Sequence, residues 1–202
     1  MTDEERIDYL KKIKNTKARL ILEVFNDKKE QIATLTPLTI CDVFMGSEII
    51  KFMTKWREFY KDSFFTKFKG SNERTFVWLQ NTIIKDDNRM FFIIKDISGE
   101  IVAHIGIIFY DKSVCELDNL IKDVNCRIPG VITFTEKRII KWLFMQIGIK
   151  KITGRLFSDN IKARSLHKKC GFKEVKEIKL SGKKVLLIEL KSDYINTKIN
   201  PH

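Results

Sequence analysis

The sequence predicts one α/β domain of mixed α+β type, a mostly antiparallel central sheet with helices on both faces. Three observations carry that expectation. Met90–Ile94, Ile101–Tyr110 and Val114–Ile121 are β-rich runs separated only by Ser98-Gly99-Glu100 and Asp111-Lys112-Ser113, the spacing of consecutive antiparallel strands. Downstream, Ile132, Ile139, Ile140, Leu143 and Ile147 recur at helical intervals, and a second helical segment follows the strand-like Lys151–Phe157. Last, Glu174–Leu180 and Lys184–Leu190 flank Ser181-Gly182, the pattern of a closing hairpin.

Taken in order, residues 1–32 read as an N-terminal helical arm, with Ile7, Leu10, Ile13, Leu20, Ile21 and Val24 at amphipathic spacing. Residues 33–191 form the domain, and 192–202 a polar tail expected to fray. Ala33–Thr39 is strand-like. A helix near Ser47–Tyr60 carries Ile49, Ile50, Phe52, Met53 and Trp56. Arg57 to Thr75 is crowded with Phe59, Tyr60, Phe64, Phe65 and Phe68, and Ser71 then caps a helix through Ile84. Pro129-Gly130 opens the helix that Gly148 stops. Ser158-Asp159-Asn160 caps the next one, which ends at Cys170-Gly171 in the glycine C-cap pattern.

At 202 residues, 44% hydrophobic and 32% charged, the chain can bury a core, which excludes collagen-like, low-complexity and wholly disordered readings. No run approaches the roughly 18 to 20 apolar residues of a spanning helix. The first residues lack the basic and apolar regions of a secretory signal, so a cytoplasmic address is expected. Cys41, Cys115, Cys126 and Cys170 form no C-x-x-C pair and read as reduced, mostly buried thiols. His104, His167 and His202 are too scattered for a metal cluster, so no metal is expected, and His104 in an apolar strand reads as a hydrogen-bonded core residue.

The formal charge of +12 favours anionic partners. Lysine supplies 29 of the 38 basic residues and is spread throughout, whereas base readout and phosphate forks recruit arginine. With no RNP-type aromatics, zinc-finger spacing or basic recognition helix, neither nucleic acid nor membrane is the expected partner. A solvated lysine surface and a phosphorylated small molecule remain.

Two helix starts carry chemistry: Arg127-Ile-Pro-Gly130-Val-Ile132, and Asn160-x-x-Ala163 leading to Gly171-Phe172. A helix amino end displays unpaired N–H donors and partial positive charge, so a glycine-assisted turn there suits a pyrophosphate. Between Val114 and Ile121, strand alternation sets Glu116 and Asp118 on one face, opposite Cys115, Leu117 and Asn119. Either carboxylate is placed to accept a proton or bind a cationic or hydroxyl-rich ligand; solvent-facing strand carboxylates are the plainer alternative.

In these motifs and their element order, the sequence resembles the GNAT superfamily of N-acetyltransferases from about Thr36 to Leu190. The resemblance implies an acyl-coenzyme A-dependent N-acyltransferase in which a substrate amine attacks the thioester directly. The implied co-substrate is acetyl-coenzyme A or another short acyl-coenzyme A. Its pyrophosphate would rest on the turn at Arg127, Ile128, Gly130, Val131, Ile132 and Thr133, with Pro129 unable to donate. Its pantetheine arm would meet Asn160, with Ala163 completing the motif. Glu116, slightly preferred, or Asp118 would serve the amine, and His167 the departing thiolate. Asn119, Phe64 and Phe65 are the candidate acceptor contacts. Two departures matter: Ile132 stands where the family has Gly or Ala, and His167 where many members have Tyr. Lys162, Arg164, Lys168 and Lys169 either reach the coenzyme's phosphates or form a solvated helix face. The acceptor expected is a small amine, with a nucleotide-linked amino sugar as the instance and a homodimer as the assembly. A peptide N-acetyltransferase and a non-catalytic acyl-coenzyme A-binding module are the alternatives.

Overall fold

A computed structural model describes residues 1–15, 20–65 and 69–193. The strands are β1 (Leu22–Phe25), β2 (Gln31–Pro37), β3 (Arg89–Asp96), β4 (Ile101–Phe109), β5 (Val114–Lys122), β6 (Lys151–Phe157), β7 (Lys173–Leu180) and β8 (Lys183–Lys191). They form one sheet in the order β1-β2-β3-β4-β5-β6-β8-β7. Every neighbouring pair is antiparallel except β5 and β6. The helices are α1 (Asp3–Asn15), α2 (Glu48–Phe59), α3 (Asn72–Trp78), α4 (Val131–Trp142) and α5 (Ile161–Lys169), with α3 and α4 running on in π geometry to Ile84 and Ile147.

Alternation along β3 sorts the core into two layers. Met90, Phe92 and Ile94 join Leu10 and Ile13 of α1 and Ile139 and Ile140 of α4 on one face. Phe91 and Ile93 join Ile50 and Met53 of α2 and Leu79 and Ile83 at the end of α3 on the other. Both faces are thus covered by helices, as a sheet with buried faces requires. The expected caps form: Ser47 accepts from the Ile50 amide, Ser71 from Arg74 and Asn160 from Ala163.

One expectation is corrected. Leu20, Ile21 and Val24 do not extend the N-terminal helix, because Leu22–Phe25 is a strand paired with β2. Leu22 and Val24 are buried while Glu23 and Phe25 are exposed, a period of two inside what reads as a longer helical period. Asn26 forces the reversal by accepting from the Lys28 and Glu30 amides through its side chain, and Lys29 takes a positive φ of 63°. The closing hairpin turns at Ser181 and Gly182, both with positive φ as a type I′ turn demands. Phe68 and most of the tail lie outside the described residues.

Candidate active site

The only parallel pairing in the sheet is also the shortest of its inner ones. β5 and β6 are in register from Val114↔Lys151 to Leu117↔Gly154 and pair no further, although both strands continue. The register of β5 shifts at the same place: between the pairs His104↔Ile121 and Gly106↔Asp118, one residue of β4, Ile105, lies opposite two of β5, Asn119 and Leu120. The extra residue is a β-bulge, and Asn119 within it has φ 49°. A slot opens between the carboxyl ends of two parallel strands, the place where open α/β sheets receive ligands.

Two helices begin beside that slot. The chain leaving β5 reaches α4 through Arg127, Ile128, Pro129 and Gly130, and the chain leaving β6 reaches α5 through Asn160. Gly130 is the left-handed N-cap of α4, with φ 67°. Phe134 N–H bonds back to the Gly130 carbonyl, leaving the Ile132 and Thr133 amides as the orphan donors of the first turn. Ile132 tucks its side chain against the core, so replacing the family's small residue does not occupy the donor side. Asn160 spends its carbonyl oxygen on the Ala163 amide 3.1 Å away, which leaves the Nδ2 amide as its side-chain donor. Arg127 is exposed beside the turn. These groups fit a pyrophosphate and the amide-bearing arm of acyl-coenzyme A. Of the four α5 cations, Arg164 is bonded to Glu174 at 2.9 and 3.1 Å and to the Ser158 carbonyl; Lys162, Lys168 and Lys169 are exposed.

Through the slot, on the α2 and α3 face, stand the two carboxylates. Gly106 pairs with both Phe91 and Asp118, which sets Asp118 and, two residues earlier, Glu116 on that face. Glu116 is only 5% exposed and both of its oxygens are engaged. Tyr110 donates its hydroxyl to Oε2, and the Arg155 Nε lies 2.8 Å from Oε1. Burial and the Glu116 carboxylate push the Tyr110 hydroxyl up to about 12, so it stays a donor. Asp118 is less encumbered: Asn119 Nδ2 donates to Oδ2, and Arg89 approaches to 3.9 Å. Burial, then repulsion from Glu116, raises the Asp118 carboxyl above its ordinary value. The bulge also alters the expected alternation, since Asn119 does not simply oppose Asp118 but reaches back to it.

Phe64 and Phe65 arrive from the loop after α2. Phe65 packs on Phe157 at 4.8 Å between ring centres and lies under the Arg155 guanidinium; Phe64 lies 5.4 Å from Arg57, which covers Trp78 at 4.1 Å. This brings Phe65 to the carboxyl end of β6, while Phe64 lies beside Arg57 of α2. Sequence reasoning passed over Tyr110, Arg155, Arg57 and Arg89. Arg155 alternates onto the Glu116 face, but only the β5–β6 register, set by long-range pairing, makes them neighbours.

His167 is on α5 facing α4, with Nδ1 2.8 Å from Glu136 Oε1 and its ring 5.4 Å from Phe172. His104 is a core residue as expected, 1% exposed; among the described residues neither ring nitrogen makes a well-formed hydrogen bond, and the Asn119 backbone is the polar group that acts on the ring. It is a neutral aromatic spacer between Trp56 and Phe91, at 5.6 and 4.9 Å. Burial lowers its titration to about 3, against partial support from the Asn119 backbone. Cys115, Cys126 and Cys170 are buried and Cys41 exposed, all as free thiols. Among the described residues no group of three or more His, Cys, Asp or Glu is placed to hold a metal ion, and no helix is long and apolar enough to cross a membrane.

Comparison with known proteins agrees with this geometry. Residues 53–172, more than half of the chain, match the model of the acetyltransferase (GNAT) family. No curated protein sequence matches. Among solved structures, the spermidine N-acetyltransferase of Vibrio cholerae in complex with CoA and spermine is 18% identical, with a TM-score of 0.67 over 80% of this chain and 96% of that one. A dodecameric structure of that enzyme gives 18% identity and 0.64 over 82% and 98%. Such identities speak to the fold. The family match, the slot between β5 and β6 and the donors at the start of α4 lead to one conclusion: the chain belongs to the GNAT acetyltransferase family, enzymes that transfer an acyl group from acyl-coenzyme A to an amine.

Proposed function

We propose that this acyltransferase acts on a small primary amine that also carries negative charge, of which a nucleotide-linked amino sugar is the instance we favour. The observation that carries the reading is the make-up of the acceptor face. Arg57, Arg89 and Arg155 surround Asp118 and Glu116 there, with Phe64 and Phe65 as an apolar wall. Guanidinium groups suit phosphate or carboxylate, and aromatic rings suit a base or sugar face. The spermidine and spermine named for the Vibrio cholerae enzyme are polycations and lack the anionic group that such arginines would hold, although Arg155 is paired with Glu116 and Arg89 with Asp86 and Asp118.

The roles follow from the partners of each group. Asp118, with its raised carboxyl, takes the proton of the attacking amine. Glu116 is held at both oxygens and acts as an anchored anion that fixes Arg155 and Tyr110, which moves the base assignment from Glu116 to Asp118. Gly130, Ile132 and Thr133 amides bind the pyrophosphate, Asn160 orients the pantetheine arm, and His167 returns a proton to the leaving sulfur. Homodimerisation belongs to the same proposal and is read by light scattering.

Thiol release from acetyl-coenzyme A tests it, with nucleotide-linked amino sugars, neutral amino sugars, spermidine and an amino-terminal peptide as acceptors. The expected order places the anionic sugars first. Preference for spermidine would overturn the acceptor, preference for the peptide would favour a protein-acetylating role, and coenzyme binding with no turnover on any amine would favour a binding module.

A further inference from the structure

Glu136 is the one carboxylate on the buried stripe of α4. Its neighbours on that stripe are Val131, Thr135, Ile139, Ile140 and Trp142, and Glu136 itself is 0% exposed. A carboxylate does not sit in such a stripe for packing: without a partner its burial is strongly unfavourable. Its partner is His167, Nδ1 to Oε1 at 2.8 Å, reached across the α4–α5 interface. Oε2 makes no hydrogen bond among the described residues. Cys170 lies beside it, its thiol pushed up by burial, by the Glu136 charge and by a hydrogen-bonding contact with that carboxylate, and the thiol also bonds weakly to the Thr133 carbonyl. Lys137 opposes the shift of the Cys170 thiol. Glu136 therefore has one strong contact, and it is directed at the imidazole.

We infer that Glu136 is a positioning residue that locks His167 with Nδ1 turned to the protein interior, so that Nε2 is the nitrogen offered to the coenzyme's sulfur. The inference rests on the reading of His167 as the thiol-side acid. The two helices that carry the pair are those whose first turns flank the β5–β6 slot, and the His167 side chain retains 14% exposure, so the ring bridges a fixed carboxylate and an accessible edge. A buried carboxylate bonded to one ring nitrogen fixes both tautomer and ring orientation, as in other acid–base dyads. In the step itself, the amine nitrogen forms its bond to the acyl carbon, Asp118 takes the amine proton, and the carbon–sulfur bond breaks with its electron pair going to sulfur. The protonated ring of His167 then gives its Nε2 proton to that sulfur and keeps its Nδ1 proton on Glu136. The products are the amide and the free thiol.

The test is steady-state kinetics on wild type, E136Q, H167Q and E136Q/H167Q, with ¹⁵N spectroscopy of the His167 ring. H167Q is expected to lower kcat about 100-fold and E136Q about 10-fold, with both KM values within about twofold of wild type. The double variant should be no slower than H167Q, and in E136Q the ring should lose its single Nδ1-protonated tautomer. E136L/H167Y, which removes the buried charge together with its partner, should recover turnover lost in H167Q if a phenol can take the role. Wild-type kcat in E136Q, an unchanged tautomer, or losses that add in the double variant would overturn the inference while leaving the acyltransferase reading standing. Wild-type kcat in H167Q would instead remove His167 from catalysis, and no turnover by the wild type on any amine would remove the proposed function.

Discussion

Gly130 carries two demands at one position. Its φ of 67° is costly for any residue with a Cβ, and a Cβ there would lie 2.8 Å from the Phe134 ring. G130A is expected to cost about 1–2 kcal/mol of stability and to weaken coenzyme binding more than acceptor binding, measured by calorimetry with coenzyme A. At Asp118 the raised carboxyl predicts that kcat/KM falls as pH drops through a value above the ordinary carboxylate one, and that D118N loses this acidic limb. His104 gives a stability prediction. It titrates at about 3 when folded and near 6.5 when unfolded, so below 6.5 the unfolded chain binds the extra proton. Its contribution is complete above 6.5 and is lost as pH falls toward 3. H104Q should flatten that part of the pH–Tm curve relative to wild type. At this scale Gly130 and Asn160 are legible in the sequence because local turn and cap chemistry fixes them, whereas His167 is singled out only by the family resemblance. Glu136 was legible too, as a charge four residues from Ile132 and three from Ile139 on an apolar period, and was passed over.

Among the elements, β5 decides the site. Its bulge at Asn119 ends the pairing with β6 and turns a continuous sheet into one with a slot. Gly106 stands opposite, and a Cβ there would come within 2.7 Å of Phe91 and 3.1 Å of the Asp118 carbonyl. G106A should therefore displace the bulge, with kcat falling by more than the loss of Tm implies; circular dichroism and initial rates on the same sample check this. α2 braces the same place, since Trp56 donates to Asp123 at 2.8 Å and Tyr60 to the Lys122 carbonyl at 3.1 Å. The helices α2 and α4 could be read from periodicity, because each buries one face, whereas β3 and β4, buried on both faces, are legible as β-rich runs between turns, and β7 and α5, which bury almost nothing, only from the turn at Ser181-Gly182 and the caps at Asn160 and Gly171. The β1 strand could not, since four residues offer two buried positions, which a helical period also satisfies. Nor could the bulge, which leaves no mark in hydrophobic alternation beyond a single asparagine.

For the molecule as a whole, long-range register converts a list of motifs into a cleft. Parallel pairing of β5 with β6 brings Arg155 to Glu116, and the two helices that leave those strands bring His167 to Glu136. No local pattern contains either pair. The same topology sets both helix starts beside the end of the β5–β6 pairing, with the groups proposed for the coenzyme there and the Asp118 face across the sheet. The most direct check is amide hydrogen exchange of the peptide covering residues 127–134 with and without saturating coenzyme A. Exchange at Gly130, Ile132 and Thr133 should slow on binding while the β7–β8 turn at Ser181 and Gly182 stays unchanged. Binding that leaves the 127–134 amides exchanging at their free rate would contradict the site.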